Sequence, residues 1–135
     1  MKNSQFVAII SMTFMAIGAS LMIAVTAYLN RSKRRRRFFE LTYSEKNEWG
    51  RGKKIDFFSA NFMASNAVYI ALMFKCGLAH SRSKDKGFSL VPNLHNNKNY
   101  LALLHEFKFF VALELFKIFT ITLGLIGSLV FEVMN

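Results

Sequence analysis

The sequence has one cysteine, one proline and few acids. Cys76 has no second cysteine to pair with, which excludes an intrachain disulfide framework. Pro92 is the single proline, so the apolar runs on either side of it lack the strongest helix breaker. Asp and Glu number 8 against 18 Lys and Arg, for a net charge of +10. Such an excess attracts nucleic acid or an anionic membrane surface. Signatures of catalysis are missing too. There is no Gly-rich phosphate loop, and Ser, His and Asp form no nucleophile elbow or triad, so no enzymatic activity and no catalytic residue is expected. Cys76, His80, His95 and His105 supply four metal ligands on paper, but at no recognised zinc spacing. They read as a buried thiol with interfacial histidines, and neither a metal nor a cofactor is expected.

What the chain does have is apolar length. Residues 6–29, FVAIISMTFMAIGASLMIAVTAYL, contain no charged residue. About 20 apolar residues, rising 1.5 Å each, cross a hydrocarbon core roughly 30 Å thick. A cleavable signal peptide has a shorter apolar part and a small-residue cleavage site. This run ends in Tyr28, Leu29, Asn30 and then arginines, so residues 1–30 read as an uncleaved transmembrane signal anchor.

The arginines give the orientation. Lys2 precedes the span, and Arg31, Lys33, Arg34, Arg35, Arg36 and Arg37 follow it. Cationic side chains beside a span stay in the cytoplasm, so the amino terminus is expected outside. The same six residues attract anionic headgroups, at about 1 kcal/mol per charge near the surface. Phe38 and Phe39 are expected to dip into the interface, with Tyr43 and Trp49 as further interfacial anchors. No RNA-binding motif accompanies the basic run, so nucleic acid is a weak expectation: a membrane-tethered binder at most.

Residues 99–135 read as one long carboxyl-terminal helix, with residues 109–133 as its transmembrane part. Glu114 and Lys117 fall inside that part. Three residues apart, they share a helix face and form a charged pair at the membrane boundary. Each terminal span also has a small residue at every fourth position: Ala16, Ser20 and Ala24 in the first, Thr120, Gly124 and Ser128 in the last. Small side chains let helix backbones approach closely, so these two ladders are expected to pack the spans together, or to pack copies of the chain.

Residues 31–98 form a basic, mainly cytoplasmic segment. Within it residues 57–79 are long enough to span but are interrupted by Ser59, Asn61, Ser65, Asn66 and Lys75, with basic clusters on both flanks. Charge bias favours an interfacial helix over a crossing one. Residues 81–99 read as a loop. The expected architecture is an all-α integral membrane protein: two transmembrane helices bracket the basic segment, and a third helix is membrane-apposed or spanning. The expected place is a bacterial inner membrane. The expected role is an accessory, regulatory or immunity-type partner of another membrane protein, or of itself. The alternative is a pore-forming holin or toxin-like protein, which needs three spans and the polar face of Ser59, Asn61, Ser65 and Asn66.

Overall fold

The computed structural model describes residues 3–43, 48–78 and 97–135. Among them the chain is all-helical: α1 (Asn3–Arg31), α2 (Arg35–Thr42), α3 (Phe57–Lys75), α4 (Asn97–Glu106) and α5 (Lys108–Met134). Three of these, α1, α3 and α5, are long and apolar enough to cross a membrane. Most of the stretch read as a loop, together with His80 and His95, lies outside the described residues; Asn97–Asn99 already belong to α4.

The frame is an antiparallel hairpin of α1 and α5. Tyr28 stacks on Phe110 with ring centroids 4.9 Å apart, and farther down Gly18 faces Ile121, Met15 faces Gly124 and Ser11 faces Gly127. Gly18 is needed for the contact: a Cβ there would lie 2.5 Å from Ile121 Cγ1. On α5 the ladder takes part, with Thr120 and Gly124 buried and Ser128 within 2.8 Å of the Ser11 hydroxyl. On α1 it does not. Ala16, Ser20 and Ala24 are exposed, while Ser11, Gly18, Val25 and Leu29 form the buried face. The reason is the seam's period. Ser11, Met15, Gly18, Met22, Val25 and Leu29 alternate steps of four and three, which keeps one face toward an antiparallel partner, whereas steps of four alone drift around the helix.

The Tyr28–Arg31 end of the hairpin carries a head. Phe38 and Phe39 are not interfacial: both are buried, with Phe38 edge-on to Phe110 at 5.2 Å and to Phe107 at 6.0 Å. Tyr43 is buried as well, its phenol donating to the Met63 carbonyl at 2.7 Å, and Trp49 packs against the same core. Tyr100 donates to the Thr42 carbonyl at 2.6 Å. Burial pushes both phenols well above their usual range, so both remain protonated donors. The carboxyl-terminal segment is two helices, not one. At Phe107 (φ −115°, ψ 41°) α4 bends into α5. The Phe107 ring packs on Phe38 and under the Arg34 guanidinium, 4.3 Å from the ring centroid, so the backbone turns to seat it.

The sequence sets both ends of α3. The Asp56 carboxylate accepts from the Ser59 amide at 2.9 Å, an N-cap, and this bond holds the carboxyl below its usual range. At the other end Leu78 N donates to the Met73 carbonyl and Gly77 N to the Phe74 carbonyl. Gly77 has φ 71°, where only glycine is unstrained, completing a Schellman stop. Between them α3 meets the hairpin in one band. Asn30 bonds both backbone groups of Ile55, Asn61 reaches Met22 and Thr26, and Ser65 reaches Glu114. Its carboxyl half turns to α4, with Phe74 against Tyr100. Thus α3 crosses the hairpin near its head instead of running along it. Ala60, Met63, Ala64, Ala67, Ala71 and Phe74 are buried, and Phe58, Phe62 and Tyr69 form an exposed stripe on the opposite side.

Candidate functional site

Where α3 crosses, the three apolar helices share their polar groups. Glu114 and Lys117 stand one turn apart on α5, are 0% and 3% exposed, and pair at 2.7 Å. The ammonium has three protons, and three acceptors meet it: Glu114 Oε1, Asn61 Oδ1 at 3.2 Å and Ser65 Oγ at 3.2 Å. The Ser65 hydroxyl in turn donates to Glu114 Oε2 at 3.1 Å. The Asn61 amide donates to the Phe57 and Met22 carbonyls and to Thr26 Oγ1, and Thr120 donates to the Lys117 carbonyl. Among the described residues no buried side-chain nitrogen or oxygen lacks a partner. A network satisfied to this degree rigidifies the crossing; it leaves no free base or nucleophile.

Beside the cluster, under α3, lies a mostly apolar groove of ≈ 460 Å³. Phe58, Phe62 and Asn66 line it from α3, and Met22, Ile118, Ile121 and Thr122 from α1 and α5. Asn61, Ser65 and Lys117 form its polar edge.

The arginine run divides its labour. Arg35 donates to the Asn30 carbonyl at 3.2 Å, and Arg36 pairs with Glu40 one turn on. Arg37 holds both Glu106 oxygens, at 2.9 and 3.1 Å, while Arg34 donates to the Glu106 carbonyl at 3.0 Å beside the bend. Arg31 and Lys33 are exposed and have no ion-pair partner among the described residues. The run therefore also holds α2 to the α4–α5 bend, which composition alone does not reveal. Cys76 is exposed, not buried, and His105 is exposed on α4. Among the described residues no three of His, Cys, Asp and Glu gather to hold a metal.

The Arg37–Glu106 clamp gives a pH-dependent prediction. Hydrogen bonding from Arg37, then the charges of Arg37, Arg34 and His105, hold the Glu106 carboxyl below its usual range. A depressed carboxyl adds stability that is present above its unfolded value and lost as pH falls through the folded one. Glu106→Gln should lower the thermal midpoint slightly near neutral pH. The gap to wild type should close as pH drops below about 4.3, and shrink in high salt. A gap independent of pH would assign Glu106 no electrostatic part in the bend.

Sequence reasoning noticed Asn61 and Ser65 as interruptions of an apolar run and as part of the polar face that a pore former would need, not as partners of Glu114 and Lys117. Their i, i+4 spacing matches the i, i+3 spacing of Glu114 and Lys117, a signal for two facing polar patches. Comparison with known protein families, with curated proteins and with solved structures finds no match to this chain.

Proposed function

We propose that this chain is a small, non-enzymatic, two-span protein of a bacterial inner membrane, acting as an accessory, regulatory or immunity-type partner of another membrane protein. The observation that carries this reading is the inward closure of the polar groups. A pore needs polar side chains facing water, yet Asn61 and Ser65 bond the Glu114–Lys117 pair inside the crossing. What remains outside along the middle of α1 is mostly apolar, with one small-residue face, Ala16, Ser20 and Ala24, that a helix of another protein can approach closely. Affinity capture in mild detergent tests the reading. One membrane protein should co-purify with the wild-type chain and be lost with Ser20→Leu, while over-expression leaves the membrane potential intact. Collapse of the potential would move the assignment to the pore former.

Topology bears on the same choice. The crossing of α3 near the head, with Lys53 and Lys54 before it and Lys75 at its end, supports a helix lying in the cytoplasmic face of the bilayer. Cys76, exposed at the end of α3, is a native probe. An impermeant thiol reagent added from outside should leave it unlabelled, and should label Asn135→Cys in a Cys76→Ser chain. Labelled Cys76 with a protected residue 135 would make α3 a span.

A further inference from the structure

We infer, on the two-span placement proposed above, that α3 and the head form a wedge confined to the cytoplasmic leaflet, and that the surface this wedge fits is a bilayer bent so that the cytoplasmic leaflet is convex. The contacts Tyr28–Phe110, Gly18–Ile121, Met15–Gly124 and Ser11–Gly127 run in antiparallel register, so Arg31 and Lys108 stand level at the head end of the hairpin. Antiparallel α1 and α5 keep those two residues on one side of a bilayer that both helices cross. A single crossing by α3 between them would part them.

The depth of α3 is read along the hairpin. Its polar partners there are Met22 and Thr26 on α1 and Glu114 and Lys117 on α5. Each lies five to nine residues from Arg31 or Lys108, about 8–14 Å along a helix axis. An amphipathic helix lying in the membrane plane settles close to that depth. Lys54 just before α3 and Lys75 at its end are exposed, and lysine stems reach headgroups from there.

One side of α3 is covered by the head: Met63 accepts from Tyr43, and Phe74 lies against Tyr100. On the opposite side Phe58, Phe62 and Tyr69 are each more than half exposed. Phe58 and Phe62 share a groove with Ile118 and Ile121, which lie farther from the head than Lys117. That half of the stripe therefore points along the hairpin into hydrocarbon, where acyl chains cover it and a water-soluble partner does not reach. Toward the far end, among the described residues, α1 and α5 run on without a third helix. The cross-section is thus unequal. With 19 residues, α3 is about 28 Å long and about 10 Å wide, so in the plane it adds at most about 280 Å² to one leaflet and nothing to the other. Bending that leaflet outward opens the room that α3 fills, which makes insertion of such a helix sensitive to curvature.

The full chain, with Cys76→Ser and a fluorophore on Asn135→Cys, is reconstituted in giant vesicles of dioleoylphosphatidylcholine and dioleoylphosphatidylglycerol, and narrow tubes are pulled from them. An impermeant quencher outside silences molecules whose residue 135 faces out, leaving those with the head on the outer leaflet. These should be severalfold denser on the tubes than on the parent vesicle. Phe58→Ser with Phe62→Ser and Tyr69→Ser lets α3 ride up and should remove the enrichment. Leu129→Ser, as exposed as Tyr69 but on the far part of α5, should leave it unchanged. All four residues are exposed, and the thermal midpoint reports whether each variant folds. Even density of the unsubstituted stripe on tube and vesicle, or undiminished enrichment after its removal, would overturn the proposal. A nitroxide on Phe62→Cys, again with Cys76→Ser, should meet dissolved oxygen and escape a water-soluble nickel chelate. Contact with the chelate, or spin–spin broadening that gives the stripe to a second copy, would also overturn it. If Cys76 of the wild-type chain is labelled from the side of residue 135, the two-span reading falls together with the wedge. If Cys76 is labelled from the head side and the tubes gather no excess, the wedge alone is lost.

Discussion

Lys117→Met should destabilise the folded protein by about 3–5 kcal/mol, the cost of leaving one partner of a buried pair behind. Glu114 is fully buried, and its nearest other donor is the Ser65 hydroxyl, which cannot neutralise a carboxylate. Asn61 Oδ1 loses its donor in the same step. Removing both charges, with Glu114→Met added, leaves only the neutral Asn61 and Ser65 groups short of partners, at about 1–3 kcal/mol each if no water reaches them. The double variant should recover part of the loss, so the two substitutions couple with opposite sign to their separate effects. Denaturant titration of the purified chain in micelles measures all four corners of the cycle. A single variant within about 1 kcal/mol of wild type, or additive effects, would mean that the pair does not hold α3 to α5.

That cluster shows what a single sequence can carry. The long apolar stretches are properties of contiguous residues, and α1, α3 and α5 follow them closely. The ends of α3 are local as well: Asp56 with Ser59, and Gly77. The meeting of Asn61 and Ser65 with Glu114 and Lys117 is different, because it depends on where α3 lands on the hairpin. That landing is fixed by Asn30 against Ile55, 25 residues away, and by Tyr43 against Met63. Neither contact leaves a periodic mark. The arginines were read incompletely for a related reason. Charge density signals orientation, but guanidinium groups also serve as fixed donors, and only the fold shows that Arg34 and Arg37 find Glu106. The break at Phe107 had no glycine or proline to announce it; packing of one ring against Phe38 made it. On α1 the missed signal was in the sequence. Small residues at every fourth position were read, while the seam alternates four and three through Ser11, Gly18 and Val25.

Gly124→Leu should pry that seam apart. A Cβ at residue 124 would lie 2.7 Å from Cγ and Sδ of Met15 and 3.2 Å from the Met15 backbone nitrogen. The methionine side chain can swing away, but the backbone cannot, so three further carbons force α1 and α5 to separate. Overpacking of this kind costs about 1–3 kcal/mol. Separation also breaks the 2.6 Å bond from Ser11 to the Gly124 carbonyl, worth about 1 kcal/mol more. The head holds the Tyr28–Phe110 end together, so the loss should concentrate at the far end, where no third helix among the described residues supports the pair. Cysteines replacing Ser11 and Ser128, whose hydroxyls are 2.8 Å apart, should form a disulfide on oxidation in a Cys76→Ser chain. Adding Gly124→Leu should sharply reduce the yield, while resistance to carbonate extraction stays unchanged because leucine only adds apolar surface. Ser20→Leu, on the exposed face of α1, should leave the yield at its original level. Equal loss with both substitutions would show that α1 presents its other face to α5, and an unaffected yield with Gly124→Leu would show that the glycine is incidental to the hairpin.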